Sequence, residues 1–375
     1  MLPPRTRLFL SVDITGSTAY KQDLTRGTHE YEGDQSFVLW PDLFVSFFHD
    51  FPDVVYTELD TAHQKYSTKS IPDYPEDPVL WKAIGDELIF YVSVTCELHI
   101  AAAVVAWIEA VERFRKETLK DFPVNLKAAA WVATFPYPNR EIAIPLRRGP
   151  LDATTSVETS PSVRAARAYS QGEATGRNEA IVRTYEPGDL NYVLDFVGPS
   201  VDLGFRLSSL ATPRKMVISA KTAEVLADQC LPASSELFSI YYEHPIELKG
   251  IGGESYPWFW LDAMPGDPFY VAEDKASGRR PVESATLRNL VELWLGKLGW
   301  EPCYLPNSND GRYSSLSDEM IRVQEGIEEV YERSRIAQVP EESPQTKPSA
   351  NAKRERLQTV EALKKRFEDS PGQSE

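Results

Sequence analysis

The sequence contains few of the residues that build disulfide frameworks, zinc sites or nucleophilic catalytic sites. Its three cysteines, Cys96, Cys230 and Cys303, are far apart and form no CxxC pair. This spacing excludes a zinc knuckle and a disulfide framework, and it favours a reducing setting. We also find no Ser/His/Asp or Cys/His arrangement in the sequence, so nucleophilic catalysis of that kind is not expected.

Long apolar runs and an excess of positive charge are also missing. The most apolar stretch, residues 100–108, is much shorter than the roughly 20 residues that span a bilayer. The first residues show no signal-peptide cleavage pattern. The 56 acidic and 40 basic residues give a net charge of −16, which disfavours general binding to nucleic acids or anionic membranes. We therefore expect a cytoplasmic protein that binds neither nucleic acids nor membranes. It could still bind a nucleotide through metals and local cations.

The composition and its patterning predict an α/β fold with a sizeable core. Apolar residues make up 42% of the 375 residues, which is typical of folded domains. Residues 79–84 and 87–94 flank a Gly-Asp turn and predict a β-hairpin, while apolar spacing predicts a helix over 98–114. Further strands are predicted at 7–13, 124–135, 194–197, 216–219, 246–249 and 256–261, and further helices at 37–51, 199–210, 220–228, 284–298 and 317–336.

The sequence divides into three parts. Residues 1–265 are predicted to form one α/β domain, in which 136–191 is an irregular arm or insertion rich in charge, Gly and Pro. Residues 266–338 are predicted to be a helical extension. Residues 339–375 are predicted to be mostly disordered, because Pro, Ser, Glu and Lys dominate their first part.

The segment from Asp13 to Thr18 (DITGST) combines a carboxylate with small residues after a buried strand. Such a carboxylate can hold Mg²⁺ or Mn²⁺, which prefer oxygen ligands. The backbone N–H groups that follow can surround a phosphate at the start of a helix. The alternative, that Asp13 only caps this helix, stays open from this segment alone.

Three further segments offer charged residues beside turns or on a helix. Asp86 lies in a Gly-Asp turn and could be a second metal ligand or an ordinary turn residue. Asp202 and Arg206 are four residues apart on a helix that Pro199 opens, where they could serve a ligand or form a surface ion pair. Lys249 precedes a Gly-rich run, from which it could reach a triphosphate or remain solvated.

Taken in order, these segments resemble the class III adenylate/guanylate cyclase family. The blocks are SVDITGST, WKAIGDELIF, DFVGPSVDLGFR and ELKGIGGESYPWFWL. The resemblance implies a ferredoxin-like mixed sheet with packed helices, and a homodimer whose composite sites convert a nucleoside triphosphate to a cyclic monophosphate. It further implies two Mn²⁺ or Mg²⁺ ions per site.

The resemblance assigns roles residue by residue. The implied metal ligands are Asp13, Asp86 and the Ile14 carbonyl, and the implied phosphate loop consists of Ile14, Thr15, Gly16, Ser17 and Thr18. Lys82 and Asp195 are the implied pair that reads the base. Lys249 is implied to contact the terminal phosphates, and Arg206 to stabilise the charge that builds on the α-phosphate. Asp202 departs from the pattern, because most purine cyclases have an asparagine there that positions the ribose.

GPSVDLGFRL and LKAAAWVATFP resemble a subgroup, the Pycsar pyrimidine cyclases of bacterial anti-phage defence. This likeness implies that UTP, or else CTP, is the substrate and that the cyclic product acts on a separate effector protein. Lys82 and Asp195 can satisfy an acceptor–donor edge such as that of uracil. Three alternatives remain from the sequence: a purine cyclase, a catalytically silent nucleotide-binding module, and an interaction protein that acts through the helices of 284–336.

Overall fold

The structure, a computed structural model, describes residues 3–25, 40–66, 74, 76–146, 161–168, 174–227, 229, 238–248 and 255–336. Lys249, Cys230 and the predicted disordered tail lie outside these residues. Within them, no helix combines the length and the apolar character needed to cross a membrane.

Eleven strands and eleven helices occur in the described part of the chain. The strands are β1 (Arg5–Thr15), β2 (Val79–Ile84), β3 (Glu87–Val94), β4 (Asn125–Phe135), β5 (Arg140–Pro145), β6 (Tyr192–Val197), β7 (Lys215–Ile218), β8 (Ile240–Tyr242), β9 (Ile246–Glu247), β10 (Ser255–Tyr256) and β11 (Phe259–Asp262). The helices are α1 (Ser17–Thr25), α2 (Trp40–Tyr66), α3 (Glu97–Glu117), α4 (Pro161–Ala168), α5 (Ala174–Thr184), α6 (Pro199–Ser208), α7 (Ala220–Leu226), α8 (Pro268–Ser277), α9 (Ser284–Leu298), α10 (Gly311–Ser314) and α11 (Asp318–Ile336).

A seven-stranded sheet with the order β2-β3-β1-β4-β7-β11-β8 organises the fold. All its neighbours are antiparallel except β4 and β7. The first four strands, with α2 and α3 as the connections between them, follow the βαββαβ order of a ferredoxin-like unit. The mixed α/β fold that the sequence predicts is therefore confirmed, and its sheet is mostly antiparallel.

One face of the sheet carries the main hydrophobic core. Helix α3 buries Ile100, Val104, Trp107 and Val111 there, because a spacing of three or four residues places them on one side of a helix. Helix α9 contributes Leu287, Val291 and Trp294 to the same core. The predicted division at residue 265 thus separates elements that share one hydrophobic core.

The opposite face of the sheet carries a cluster of aromatic side chains. Phe9 on β1 stacks on Trp131 of β4 with ring centroids 5.5 Å apart, and it also meets Trp81 and Phe196 edge-on. Helix α6 covers this cluster closely, since a Cβ added at Gly204 would lie 2.1 Å from the Trp131 ring. We call this side the aromatic face. It positions β6 and α6, which carry three of the candidate site residues.

The arm is more ordered than the sequence predicts. The expectation of irregular chain over 136–191 is wrong for much of its described part, which forms β5, α4 and α5. Buried ion pairs hold this arm to the sheet: Glu141 accepts hydrogen bonds from Arg7 at 2.9 Å and from Arg5. Asn178 of α5 bonds to both the Glu141 carbonyl and the Ala143 amide at 2.9 Å. The composition of this segment did not predict these elements, because tertiary contacts rather than local sequence patterns stabilise them.

Several boundaries also differ from the expectation. Helix α2 continues through Pro52 to Tyr66 instead of ending near residue 51, because Phe51, Val55 and Leu59 extend its buried stripe. The strand predicted over 256–261 is two short strands, β10 and β11. Strand β8 and helices α8 and α10 were not predicted; α8 buries none of its residues, so it has no apolar stripe that a pattern could reveal.

Candidate functional site

Asp13 and Asp86 lie together at the end of β1. Asp13 is paired in register with Glu87 on β3, and the β2–β3 turn places Asp86 directly before Glu87. The backbone N–H of Ile14 donates to the carbonyl of Asp86 at 3.3 Å, and the hydroxyl of Ser17 donates to Asp86 Oδ2. The tight turn is possible because Gly85 adopts a φ of 66°, which favours glycine.

A row of three charged residues crosses β3, β1 and β4 at this point. Glu87 and Lys127 are the register partners of Asp13 on either side, so all three side chains project from the aromatic side of the sheet. The Lys127 Nζ contacts Asp13 Oδ2 at 2.7 Å. The sequence analysis missed Glu87 and Lys127. The only signal for them was that each lies an even number of residues from buried residues of its own strand and therefore on the same side of the sheet.

Burial and neighbouring negative charge raise the pKa values of the Asp13 and Glu87 carboxyl groups. Burial is the largest influence on Asp13 and raises its pKa; Lys127 opposes the rise, and the charge of Asp86 adds to it. Burial likewise raises the pKa of Glu87; the Ser11 hydroxyl opposes the rise, and the charge of Asp13 adds to it. The Glu87 Oε1 atom is buried without a hydrogen-bond partner. This edge of the sheet therefore holds more negative charge than Lys127 alone offsets.

The arrangement fits a divalent cation that shares its coordination with a substrate. The described residues include no group of three acidic, His or Cys side chains placed to enclose a metal. Mg²⁺ is commonly held by one or two carboxylates, with substrate phosphates and waters completing the shell. Asp13 and Asp86 supply two such carboxylates, and Ile14, whose carbonyl is the third implied ligand, directly follows Asp13 in the chain. The donor set therefore suits a metal that arrives with a phosphate.

The segment from Thr15 to Thr18 forms a turn that opens helix α1. Gly16 has a φ of 84°, and its carbonyl accepts the N–H of Tyr20 at 3.0 Å, which is the first bond of the helix. The first N–H groups of a helix have no partner within it and can bind an anion. The structure thus places the predicted phosphate loop directly beside Asp86, through the contact from Ser17.

Lys82 and Asp195 meet although they are distant in the sequence. The Lys82 Nζ lies 2.7 Å from Asp195 Oδ1, with the two side chains 32% and 20% exposed. The same Nζ lies 4.4 Å above the Trp81 ring. Lys82 belongs to the strand that leads into the Asp86 turn, and Asp195 belongs to β6. The structure thus brings together the two residues that the resemblance pairs, at the rim of the aromatic face.

Asp202 and Arg206 project from α6 without forming an ion pair. Neither has a salt bridge or side-chain hydrogen bond to any residue that the structure describes, including each other. The sequence alternative of a surface ion pair between them is therefore wrong. Asn139 fixes the start of this helix: its Oδ1 accepts the Ser200 N–H at 3.0 Å, and its Nδ2 donates to the Thr134 carbonyl at 3.0 Å.

The candidate residues fall into separate groups. No hydrogen bond or ion pair in the described ranges joins Asp202 or Arg206 to Asp13 or Asp86. The position of Lys249 lies outside the described residues. Trp81 and Phe196 are buried in the aromatic cluster.

The known proteins that this chain resembles are found among solved structures. No protein-family model matches the chain, and no curated protein matches it. Similar structures include the adenylyl cyclase CyaB from P. aeruginosa (13% identity, 69% of this chain, 94% of that chain, TM-score 0.39). A second is the guanylate cyclase domain of RhGC from Catenaria anguillulae in complex with GTP (13% identity, 70% of this chain, 99% of that chain, TM-score 0.37). A third is the non-canonical dimeric guanylyl cyclase domain of the RhoGC fusion protein from Blastocladiella emersonii (13% identity, 69% of this chain, 98% of that chain, TM-score 0.35). All three TM-scores are below 0.5, so the functional proposal rests on the geometry above instead.

Proposed function

We propose that this protein is a class III nucleotidyl cyclase. The observation that supports the proposal is the juxtaposition of Asp13 and Asp86 at the end of β1, held by the Ile14 N–H and by the Ser17 hydroxyl. Two carboxylates beside a phosphate-binding turn are what a metal-dependent reaction of a nucleoside triphosphate requires.

The metals in this proposal are two Mn²⁺ or Mg²⁺ ions per site. When bound, such a pair stabilises the attacking and the leaving oxygen of an in-line displacement. Asp13, Asp86 and the Ile14 carbonyl would hold the ions, and the N–H groups of residues 15–18 would bind phosphate oxygens. The ribose 3′-hydroxyl attacks the α-phosphate, and diphosphate leaves. Positioning and charge stabilisation supply the rate, without a protein nucleophile.

The residues of α6 would complete the site of a second copy of the chain. Arg206 would stabilise the charge that develops on the α-phosphate, and Lys249 would contact the terminal phosphates. Asp202 cannot be neutralised by Arg206, because the two side chains do not meet; we propose that it accepts a hydrogen bond from a ribose hydroxyl. The proposed assembly is a head-to-tail homodimer with two composite sites.

The proposed substrate is UTP, and CTP is the less favoured pyrimidine. Asp195 can accept a hydrogen bond from the N3–H of uracil, while Lys82 donates to a neighbouring carbonyl. The Trp81 ring lies 4.4 Å from the Lys82 ammonium, and we propose that it limits the space beside the base to a single ring. The cyclic UMP or CMP product would act as a second messenger on a separate effector protein in anti-phage defence.

A catalytically silent nucleotide-binding module is the second candidate. Two observations favour it: Asp202 stands where purine cyclases have asparagine, and Lys127 already pairs with the metal-site carboxylate of Asp13. This candidate retains nucleotide binding but forms no product.

Incubation of the pure protein with each of the four nucleoside triphosphates and Mn²⁺ tests the proposal. Mass spectrometry identifies the cyclic product, and Asp13→Asn is the inactive control. Cyclic UMP as the main product supports the proposal, whereas a product from ATP or GTP alone replaces the pyrimidine assignment with a purine cyclase. Nucleotide binding without any product favours the silent module.

A further inference from the structure

Helix α6 begins without a capping side chain of its own. Its N-cap residue is Gly198, with a backbone φ of 138°, yet the first N–H groups of a helix need acceptors from outside the helix. Asn139 supplies one, because its Oδ1 accepts the N–H of Ser200 at 3.0 Å. Ser200 is the second helical residue, where a capping side chain usually bonds. Asn139 therefore caps α6 from a distant part of the sequence.

Asn139 is itself fixed by the end of strand β4. It is fully buried, and its Nδ2 donates to the Thr134 carbonyl at 3.0 Å. The Thr134 hydroxyl lies 3.0 Å from that of Thr6 on β1 and accepts the N–H of Tyr304 at 3.3 Å. The cap of α6 thus rests on two strands of the sheet and on the C-terminal helical extension, and it cannot shift without breaking these hydrogen bonds.

The approach of Asn139 to the start of α6 depends on glycine at position 198. A Cβ added at Gly198 would lie 2.6 Å from Asn139 Oδ1 and 2.7 Å from its Cα, which is closer than non-bonded atoms of this kind approach. The φ of Gly198 also lies in the region that favours glycine. This glycine cannot cap the helix, but it leaves the room in which Asn139 does so.

A second close contact holds the middle of α6. A Cβ added at Gly204 would lie 2.1 Å from the ring of Trp131, so the helix lies directly on β4 at this point. Asp202 lies between the cap and this contact, and Arg206 follows the contact by two residues. The position of both charged residues is therefore set by β4, through Asn139 at the start of the helix and through Trp131 at its middle.

We propose that Asn139 is a positioning residue for the reaction, which holds α6 so that Arg206 and Asp202 reach the triphosphate bound in the site of a second copy. The inference rests on the proposed function, in which Arg206 stabilises charge on the α-phosphate. Such a group must be placed accurately, since a shift of about 1 Å can cost on the order of 100-fold in rate. Asn139 is buried beneath the start of α6, so it acts on the reaction only through the helix.

Substitution of Asn139 by leucine tests this inference, since leucine is of similar size and forms no hydrogen bond. Steady-state kinetics use Mn²⁺ and UTP, or whichever of the four triphosphates yields a product. For Asn139→Leu, kcat should fall on the order of 100-fold, and KM should change less, because the phosphate turn and the Lys82–Asp195 pair belong to other elements. Asn139→Asp should retain most of the activity, because aspartate caps a helix as well as asparagine does.

Asn178→Leu is the matched control, because it removes the same two kinds of hydrogen bond. Asn178 accepts the Ala143 N–H and donates to the Glu141 carbonyl, both at 2.9 Å. In the part of the chain that the structure describes, no hydrogen bond joins it to α6. This variant should lose folding stability but keep a kcat close to that of the wild type. If Asn139→Leu does not fold, which circular dichroism would show, Asn139→Ala is measured in its place.

Mixed dimers distinguish positioning of α6 from a general loss of structure. When mixed with Asp13→Ala chains, Asn139→Leu chains should restore about one working site per heterodimer, as expected for a composite site. The Asn139→Leu chain supplies the metal-binding aspartates, and its partner supplies an undisturbed α6. When mixed with Arg206→Ala chains, Asn139→Leu chains should restore little activity, because neither chain then supplies a working α6.

Two results would overturn the inference. One is a kcat of Asn139→Leu equal to that of Asn178→Leu. The other is a failure of Asn139→Leu to restore activity with the same Asp13→Ala chains that Arg206→Ala chains do restore. If the wild type forms no product, or if Asp13→Ala and Arg206→Ala chains restore none together, the proposed function or the shared site is wrong, and the inference fails with it.

Discussion

The strand ends of the sheet and helix α6 differ in where their charged side chains find partners. At the strand ends, Asp13 contacts Lys127 and Lys82 contacts Asp195, both at 2.7 Å. On α6, Asp202 and Arg206 share a helical face and have no ion-pair partner among the described residues. At the strand ends, charged side chains of the same chain pair with each other, whereas the charges on α6 are available for a ligand or another subunit. This difference is what a site completed by a second copy requires.

The largest expected effect comes from removing one metal ligand at the strand ends. Asp86→Asn keeps the shape of the turn but removes a carboxylate charge, and we expect cyclisation to fall on the order of 1,000-fold because several kcal/mol of metal-dependent stabilisation are lost. The rate of cyclic product formation with Mn²⁺ measures it. Asp121→Asn, on an exposed loop, is the control and should retain wild-type activity. Equal activity of the two variants would remove Asp86 from the site.

The second prediction tests whether buried ion pairs arrange the strand region. Burial by itself would raise the pKa of Glu141, but the charges of Arg7 and Arg5 outweigh it and hold the pKa below its usual 4.5. Glu141→Gln should lower the free energy of unfolding by about 3 kcal/mol at neutral pH, because Arg7 loses its buried partner. Urea unfolding measures the loss.

The pH dependence of this loss has a definite sign. A carboxyl group with a lowered folded-state pKa contributes stability above its unfolded pKa, and that stability disappears as the pH falls through the folded pKa. The unfolding free energies of wild type and Glu141→Gln should therefore converge below pH 4.5. Glu117→Gln, in an exposed pair with Arg113, is the control and should change stability little. A loss that does not depend on pH would mean that packing, not charge, holds the arm.

The third prediction tests α6 directly. Arg206→Ala should lower cyclisation on the order of 100-fold, since one group that stabilises developing charge is removed. Asp13→Ala chains should also be inactive. Mixing the two variants should restore about one working site per heterodimer, because each chain supplies what the other lacks. If the mixture stays inactive while both variants fold and dimerise, the charges of α6 do not serve a site shared between subunits.

The smallest expected effect concerns the pair at the rim of the aromatic face. Lys82→Met should raise KM for the preferred triphosphate by about tenfold, as expected for loss of one hydrogen bond from a charged group. The change in kcat should be smaller, and discrimination between pyrimidines should weaken. Steady-state kinetics with UTP and CTP measure both quantities, with Lys120→Met as the control. An unchanged KM would show that Lys82 does not contact the base.

Local signals allowed the sequence to predict part of this structure. The hairpin of β2 and β3 and the helix α9 have the predicted boundaries, because a Gly-Asp turn and an apolar stripe are encoded within each element. Strand β5 and helices α4 and α5 were missed. Contacts between distant segments, such as those of Asn178 with β5 and of Glu141 with Arg7, stabilise β5 and α5.

The candidate site shows the same limit. The aspartates were found because each follows a recognisable turn or strand end, and Lys82 and Asp195 were paired only through a family resemblance. Lys127 and Glu87 were missed, because their place beside Asp13 depends on the register of three strands, which no single segment encodes.

The proposed metal site can be observed by anomalous X-ray diffraction from crystals soaked with Mn²⁺ and a non-hydrolysable UTP analogue. We expect two Mn²⁺ peaks about 4 Å apart, both bound by carboxylate oxygens of Asp13 and Asp86. Absence of Mn²⁺ at these carboxylates, or a single ion that contacts only one of them, would contradict it.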